Sequence, residues 1–169
     1  MPLTPAHLAD LRRSDLSDNQ IRACGFRTET DPKAVATLLG WTSPAKTLGP
    51  CLLIPFFGAA GEPLDYTRAK PNRPQAAKGD GKPIKYESPR KKANGAYFPP
   101  GTRAALADAM VPLLVTEGEK KAAMADQEGF SLSVRTSRNR ASEKKAAMAD
   151  QEGFPASGWS ACTGSKRRE

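Results

Sequence analysis

The twelve residues EKKAAMADQEGF occupy positions 119–130 and recur unchanged at 143–154. Perfect identity over that length is the mark of a recent duplication at the DNA level. A solenoid needs about three or more copies and tolerates divergence between them. The two copies are followed by unlike sequences, SLSVRTSRNRAS and PASGWSACTGSKRRE. Both are rich in Ser and Arg, poor in large aliphatics, and without strand or helix periodicity. The chain has 169 residues, yet only about the first 130 read as fold-specifying, the size of one ordinary domain.

Several classes of protein are excluded early. The longest apolar run, residues 51–57 (CLLIPFF), contains a proline and falls far short of a membrane span. The first nine residues lack the basic start and apolar core of a secretory signal. A cytoplasmic protein with no membrane partner is therefore expected. Cys24, Cys51 and Cys162 are odd in number and scattered, with no CxxC pair. His7 is the single histidine. A disulfide framework and a zinc site are both disfavoured. Any Ser–His or Cys–His hydrolase scheme would rest wholly on His7, in a helix-like stretch near the terminus.

The chain divides into three parts. Residues 1–48 read as a small helical lobe. Thr4-Pro5 offers an N-cap and a first-turn proline, Ser17 opens a capping box, and Asp31-Pro32 starts a third helix with Val35, Leu38 and Leu39 inward. Gly25 and Gly40 are stops. Residues 49–130 form a basic, strand-rich region leading into a strand–helix unit. Strands are expected at 51–57, 64–69, 83–87 and 111–116, with a flexible polar loop at 72–82 and a basic loop at 88–95. Thr102 is the expected cap of a helix over 103–110. Residues 131–169 hold the duplicated helix and an irregular or disordered tail. The class is α/β, or α+β in a looser count, and 14 glycines and 15 prolines fit its many loops.

The net charge of +8 is concentrated in one stretch. Residues 1–66 carry six basic and seven acidic groups, and residues 104–169 carry ten basic and nine acidic. Residues 67–103 carry ten basic groups against Asp80 and Glu87, with Tyr86 and Tyr97 among them and Tyr66 just before. Cations interleaved with aromatics suit a phosphate backbone with stacked bases. The same composition also suits a solvated loop whose lysines aid solubility.

Residues 111–116 (VPLLVT) end in Glu117-Gly118 and a helix-forming run from Glu119. A carboxylate at the C-terminal end of a strand in an open α/β sheet lies where functional groups collect. It equally serves as a helix-start carboxylate facing the positive dipole end. Gly118 is expected to permit a sharp turn there.

The string VTEGEKKA (115–122) resembles the first motif of TOPRIM domains, in which a hydrophobic strand ends in Glu-Gly before a helix. With LTPAHLADLRRSDLSDNQI, GPCLLIPFFGAAGEPLDYTRAKP, KYESP and AYFPPGT in order before it, the chain from Leu3 to about Phe130 resembles a group of TOPRIM-like domains of unknown function. These occur in primase–helicase proteins of bacterial and phage mobile elements. KYESP is also similar to the basic string that precedes TOPRIM in replicative primases, beside the nucleic acid.

The resemblance implies the N-terminal, truncated part of a primase-like DNA replication protein that binds DNA or RNA and works with a helicase module. It makes Glu117 the TOPRIM glutamate and Arg68, Lys70, Lys85, Tyr86, Arg90, Lys91 and Lys92 the nucleic-acid contacts. The intact family type uses Mg²⁺ for nucleotidyl transfer, because divalent cations neutralise the charge that develops on the phosphoryl group. Its metal carboxylates come from a later Asp-x-Asp strand, and none occurs in this chain. Enzymatic activity is thus uncertain, no cofactor is assigned to this chain, and Glu117 would be vestigial. Two other readings stay open: a non-catalytic nucleic-acid-binding adaptor, and a degraded gene product.

Overall fold

A computed structural model describes residues 2–77, 81–106, 108–130 and 132–135. The order of elements is α1 (Pro5–Arg12), α2 (Asp18–Ala23), β1 (Arg27–Glu29), α3 (Pro32–Leu39), a single 3-10 turn (Lys46–Leu48), β2 (Cys51–Phe57), β3 (Pro63–Pro71), β4 (Ala96–Tyr97), α4 (Pro100–Ala105), β5 (Leu114–Thr116), α5 (Glu119–Gln127) and β6 (Leu132–Arg135). The fold is mixed α/β. One antiparallel sheet has the order β1-β2-β3, and a second has β4-β6-β5, with β6 antiparallel to β4 and parallel to β5. Among the described residues no helix is long and apolar enough to cross a membrane.

The first three helices start where their caps predict. The Thr4 side chain accepts from His7 N, that of Ser17 from Gln20 N, and that of Asp31 from Lys33 N and Ala34 N. Each satisfies donors that the first helical turn leaves unpaired. α3 stops at Gly40, whose φ of 64° is a left-handed conformation that a Cβ disfavours. Between α2 and α3 the chain forms β1, which the sequence reading missed.

β2 organises the core. Its side chains alternate between two faces, as a period of two requires. Leu52, Ile54 and Phe56 join Leu11, Ile21, Tyr66, Tyr97, Ala122 and Ala123 in one buried cluster. Cys51 and Leu53 join Val35, Leu39, Leu48 and Ala69 in another. Both faces of β2 are covered, so the run reads as continuously apolar rather than alternating. The helices of the first 48 residues therefore share cores with β2 and α5. β1 pairs only with residues 51–53 of β2. The β2–β3 register shifts between Pro55 and Phe57, where proline supplies no N–H for the ladder.

Four local expectations are corrected. Residues 83–87 form no strand. Glu87 makes one antiparallel bridge to Ala69 and Pro83 one to Ala76, and the prolines at 83 and 89 limit further pairing. The helix expected over 103–110 begins at Pro100 and ends at Ala105, because Pro99 is its N-cap and Pro100 its first-turn proline. The strand expected over 111–116 is confined to Leu114–Thr116. A turn that closes with Val111 N donating to Asp108 O precedes it, and Pro112 adds no donor. The sequence after Phe130, read as lacking periodicity, contains β6, the centre of the second sheet. Residues 78–80 of the polar loop, the second dodecamer and the tail beyond residue 135 lie outside the described residues.

Candidate nucleic-acid interface

The predicted contact residues separate into two environments. Arg68 and Lys70 lie on β3 and face inward across the sheet. Arg68 Nη1 donates to Glu119 Oε1, and its guanidinium carbon lies 4.9 Å from the Tyr86 ring centroid. Glu119 is 1% exposed. Lys70 Nζ donates to Asp10 Oδ2 at 2.7 Å, and Lys120 Nζ reaches the same oxygen at 3.3 Å. Burial pushes the Asp10 carboxyl up, but the Lys70 hydrogen bond and the Lys120 charge outweigh it and hold it below its ordinary value. Burial, with Lys70 close by, lowers Lys120. These cations are neutralised within the fold and hold α1, β3 and α5 together.

Lys85, Arg90, Lys91 and Lys92 are exposed, on the segment that leaves the β3 edge and runs to β4. Arg90 N donates to Leu39 O at 2.9 Å, which docks this loop on the C-terminal end of α3. The Arg90 guanidinium carbon then lies 5.4 Å from the Trp41 ring centroid. Cations near a helix C-terminus and over an aromatic face are both favourable placements. Lys91 has a positive φ of 60°, which turns the chain at the loop tip. Lys92 pairs with Asp65. Among the described residues, no carboxylate pairs with Lys85, Arg90 or Lys91. The result is an exposed cationic surface beside an aromatic ring.

Glu117 follows β5 directly, as its position in the motif requires. Its side chain is 86% exposed and pairs with Lys121 at 3.2 Å. Gly118 is extended, with φ −145° and open space where a Cβ would lie, so the turn does not depend on glycine. Among the described residues, no group of three His, Cys, Asp or Glu side chains is placed to hold a metal. Asp126, the nearest downstream aspartate in sequence, is engaged elsewhere. It accepts from Gly101 N, Thr102 N and Thr102 Oγ1, and from Gln20 Nε2. The donor set around Glu117 does not fit a Mg²⁺ site of the kind the resemblance implies, because hard divalent cations need several oxygen ligands.

The remaining nucleophile candidates are structural. Burial pushes the Cys24 and Cys51 thiols up to about 11, so neither is a thiolate at neutral pH. His7 is 3% exposed. Its Nε2–H donates to Asn72 Oδ1 at 2.7 Å, and Nδ1 accepts from the Thr28 hydroxyl at 2.7 Å. It lies beside Asp10, Lys70 and Asn72 in a groove of about 280 Å³.

Compared with known proteins, the chain matches no family model and no curated sequence.

Sequence reasoning overlooked Glu119, Asp10, Trp41 and the capping role of Asp126. Helical spacing carried a signal for two of them. Residues 119, 122, 123 and 126 fall at i, i+3, i+4 and i+7, the pattern of one helix face. With Ala122 and Ala123 on the buried face, Glu119 and Asp126 had to find polar partners there. Asp10 and Trp41 carried no such signal, because their partners are 60 and 49 residues distant in sequence.

Proposed function

We propose that this chain binds nucleic acid through the loop carrying Lys85, Arg90 and Lys91, as the N-terminal part of a primase-like, TOPRIM-related replication protein of a mobile element. The observation that carries the reading is the division of the basic segment. Arg68, Lys70 and Lys92 are paired within the protein, while Lys85, Arg90 and Lys91 face solvent without carboxylate partners among the described residues. A surface meant only for solubility has no need of an arginine ordered over a partly buried tryptophan. A surface for single strands does, because phosphates seek cations and bases stack on aromatic planes.

The resemblance of VTEGEKKA to the first TOPRIM motif and the order of the landmarks before it support the primase-like assignment. The strand after α5 reads Leu-Ser-Val-Arg and supplies no carboxylate. On this reading the chain does not synthesise primers alone, and it meets DNA or RNA, with a helicase module as its partner protein.

The reading is tested by fluorescence anisotropy with labelled single-stranded DNA and RNA oligonucleotides. K85A/R90A/K91A should weaken binding at least tenfold. R12A/K121A, which removes two exposed cations elsewhere, should change it less than twofold. Equal effects of the two variants would reject the assigned surface.

A further inference from the structure

The groove of about 280 Å³ between α1 and the end of β3 is lined by His7, Asp10, Lys70 and Asn72, with Pro71 and Pro74 beside them. None of its lining residues belongs to the loop at 85–91. Its charged groups do not balance. Lys70 and Lys120 each have a hydrogen-bonded partner, but the partner is the same atom, Asp10 Oδ2, at 2.7 and 3.3 Å. Among the described residues no second carboxylate pairs with either lysine. The trio therefore keeps one positive charge. All three side chains are partly buried, so water screens that surplus incompletely. Burial and the neighbouring Lys70 both lower Lys120, as they do for an ammonium short of counter-charge. Hydrogen-bonding capacity is also left over. Asp10 Oδ1 accepts no hydrogen bond among the described residues. Asn72 turns its Oδ1 to the His7 N–H, which leaves its amide nitrogen as a donor.

We propose that this groove binds a sugar phosphate, with the phosphate beside Lys70 and the Asn72 amide, a sugar hydroxyl on Asp10 Oδ1 and the sugar ring against the two prolines. Each part of that ligand answers one feature of the groove. The anion meets the surplus positive charge, which a neutral polyol would leave uncompensated. The hydroxyl donates to the free carboxylate oxygen, where a second anionic group would be repelled. A water takes about 30 Å³ of liquid volume, so a bare oxyanion would fill only a small part of the groove. The proline rings offer apolar C–H surface to the face of a sugar. The site is independent of the nucleic-acid contact at residues 85, 90 and 91 and stands or falls without it.

His7 is the only histidine in the chain and lines the groove, so its ring C–H signals in proton NMR report occupancy without overlap. The full chain is titrated with ribose 5-phosphate at constant ionic strength. The His7 signals should shift saturably, with a Kd of about 1 mM or tighter. Inorganic phosphate and ribose, added separately, should each bind about tenfold more weakly or worse. Asn72→Asp changes an exposed residue, cancels the surplus charge and removes the amide donor. It should weaken ribose 5-phosphate about tenfold or more, and its folded His7 signals before ligand is added establish that the variant is intact. Arg12→Ala, which removes an exposed cation from the same helix, should change the affinity less than about twofold. No saturable shift up to about 10 mM ribose 5-phosphate, or an unchanged affinity in Asn72→Asp, would overturn the site. Inorganic phosphate binding as tightly as the sugar phosphate would overturn the sugar assignment. Ribose binding as tightly would overturn the anion assignment.

Discussion

Arg68 on β3 donates to Glu119 in the first turn of α5, and this pair lies under the core rather than on the surface. The carboxylate that the strand–turn–helix motif singles out, Glu117, lies two residues earlier and is exposed. The motif thus contains one acid that faces solvent and one that ties the helix to the sheet. Removing either buried partner leaves the other charged and unpaired. Arg68→Ala or Glu119→Ala should each destabilise the fold by about 3 to 5 kcal/mol, measured by urea unfolding. The apolar double replacement R68M/E119L should recover much of the loss. Glu117→Gln should leave the unfolding midpoint unchanged.

His7 gives the protein a pH dependence of definite sign. Burial lowers its pKa from the ordinary 6.5, against the opposing hydrogen bond to Asn72 and the nearby Asp10 charge. The folded state holds the ring neutral, while the unfolded chain takes up a proton as pH falls below 6.5. The stability is fully present above 6.5 and is lost as pH drops toward the folded value. Unfolding free energy should decline between pH 7 and 5, by at most about 1.4 kcal/mol per unit for one proton. His7→Gln should flatten that decline. Asp10 also has a lowered pKa, but its ordinary value is 3.8, so its contribution is lost at more acidic pH.

Asp126 acts as a cap for a helix to which it does not belong. It accepts two backbone N–H groups and a hydroxyl at the start of α4. Asp126→Ala should cost about 1 to 2 kcal/mol, as loss of a cap does. A Cβ at Gly101 would lie 2.8 Å from Asp126 Oδ1, so Gly101→Ala should be destabilising as well. The two effects should be less than additive, because both act on one contact.

Two glycines at helix ends, Gly40 after α3 and Gly118 before α5, should respond differently to substitution. Gly40 has a φ of 64°, and Gly40→Ala should destabilise by about 1 kcal/mol. Gly118 has an ordinary extended backbone and nothing near its Cβ position. Gly118→Ser adds a capping hydroxyl at the start of α5 and should be neutral or stabilising by up to about 1 kcal/mol. Differential scanning calorimetry of both variants checks the pair.

Elements governed by local chemistry were legible in the sequence. The caps at Thr4, Ser17 and Asp31, the stop at Gly40 and the apolar run of β2 depend on neighbouring residues alone, and they fall as expected. The mixed α/β class follows from the same signals. Elements that depend on distant partners were not legible. β1 exists because β2 offers it an edge, β4 because β6 does, and the strand expected at 83–87 is reduced to bridges beside β3. The basic segment was visible as a charge excess. Which of its cations are free depends on Asp10, Asp65 and Glu119, whose positions only the fold brings together.

The salt dependence of single-strand binding tests the proposed interface most directly. Neutralising a phosphate releases counterions, with a slope of about −0.7 in log K against log salt per contact on single strands. Three free cations at 85, 90 and 91 should give the parent protein a slope near about −2. K85A/R90A/K91A should bring it close to zero while the protein still unfolds in a single cooperative transition. A parent that binds with no salt dependence, or a variant that keeps the full slope, would contradict the assignment of this loop as the nucleic-acid contact.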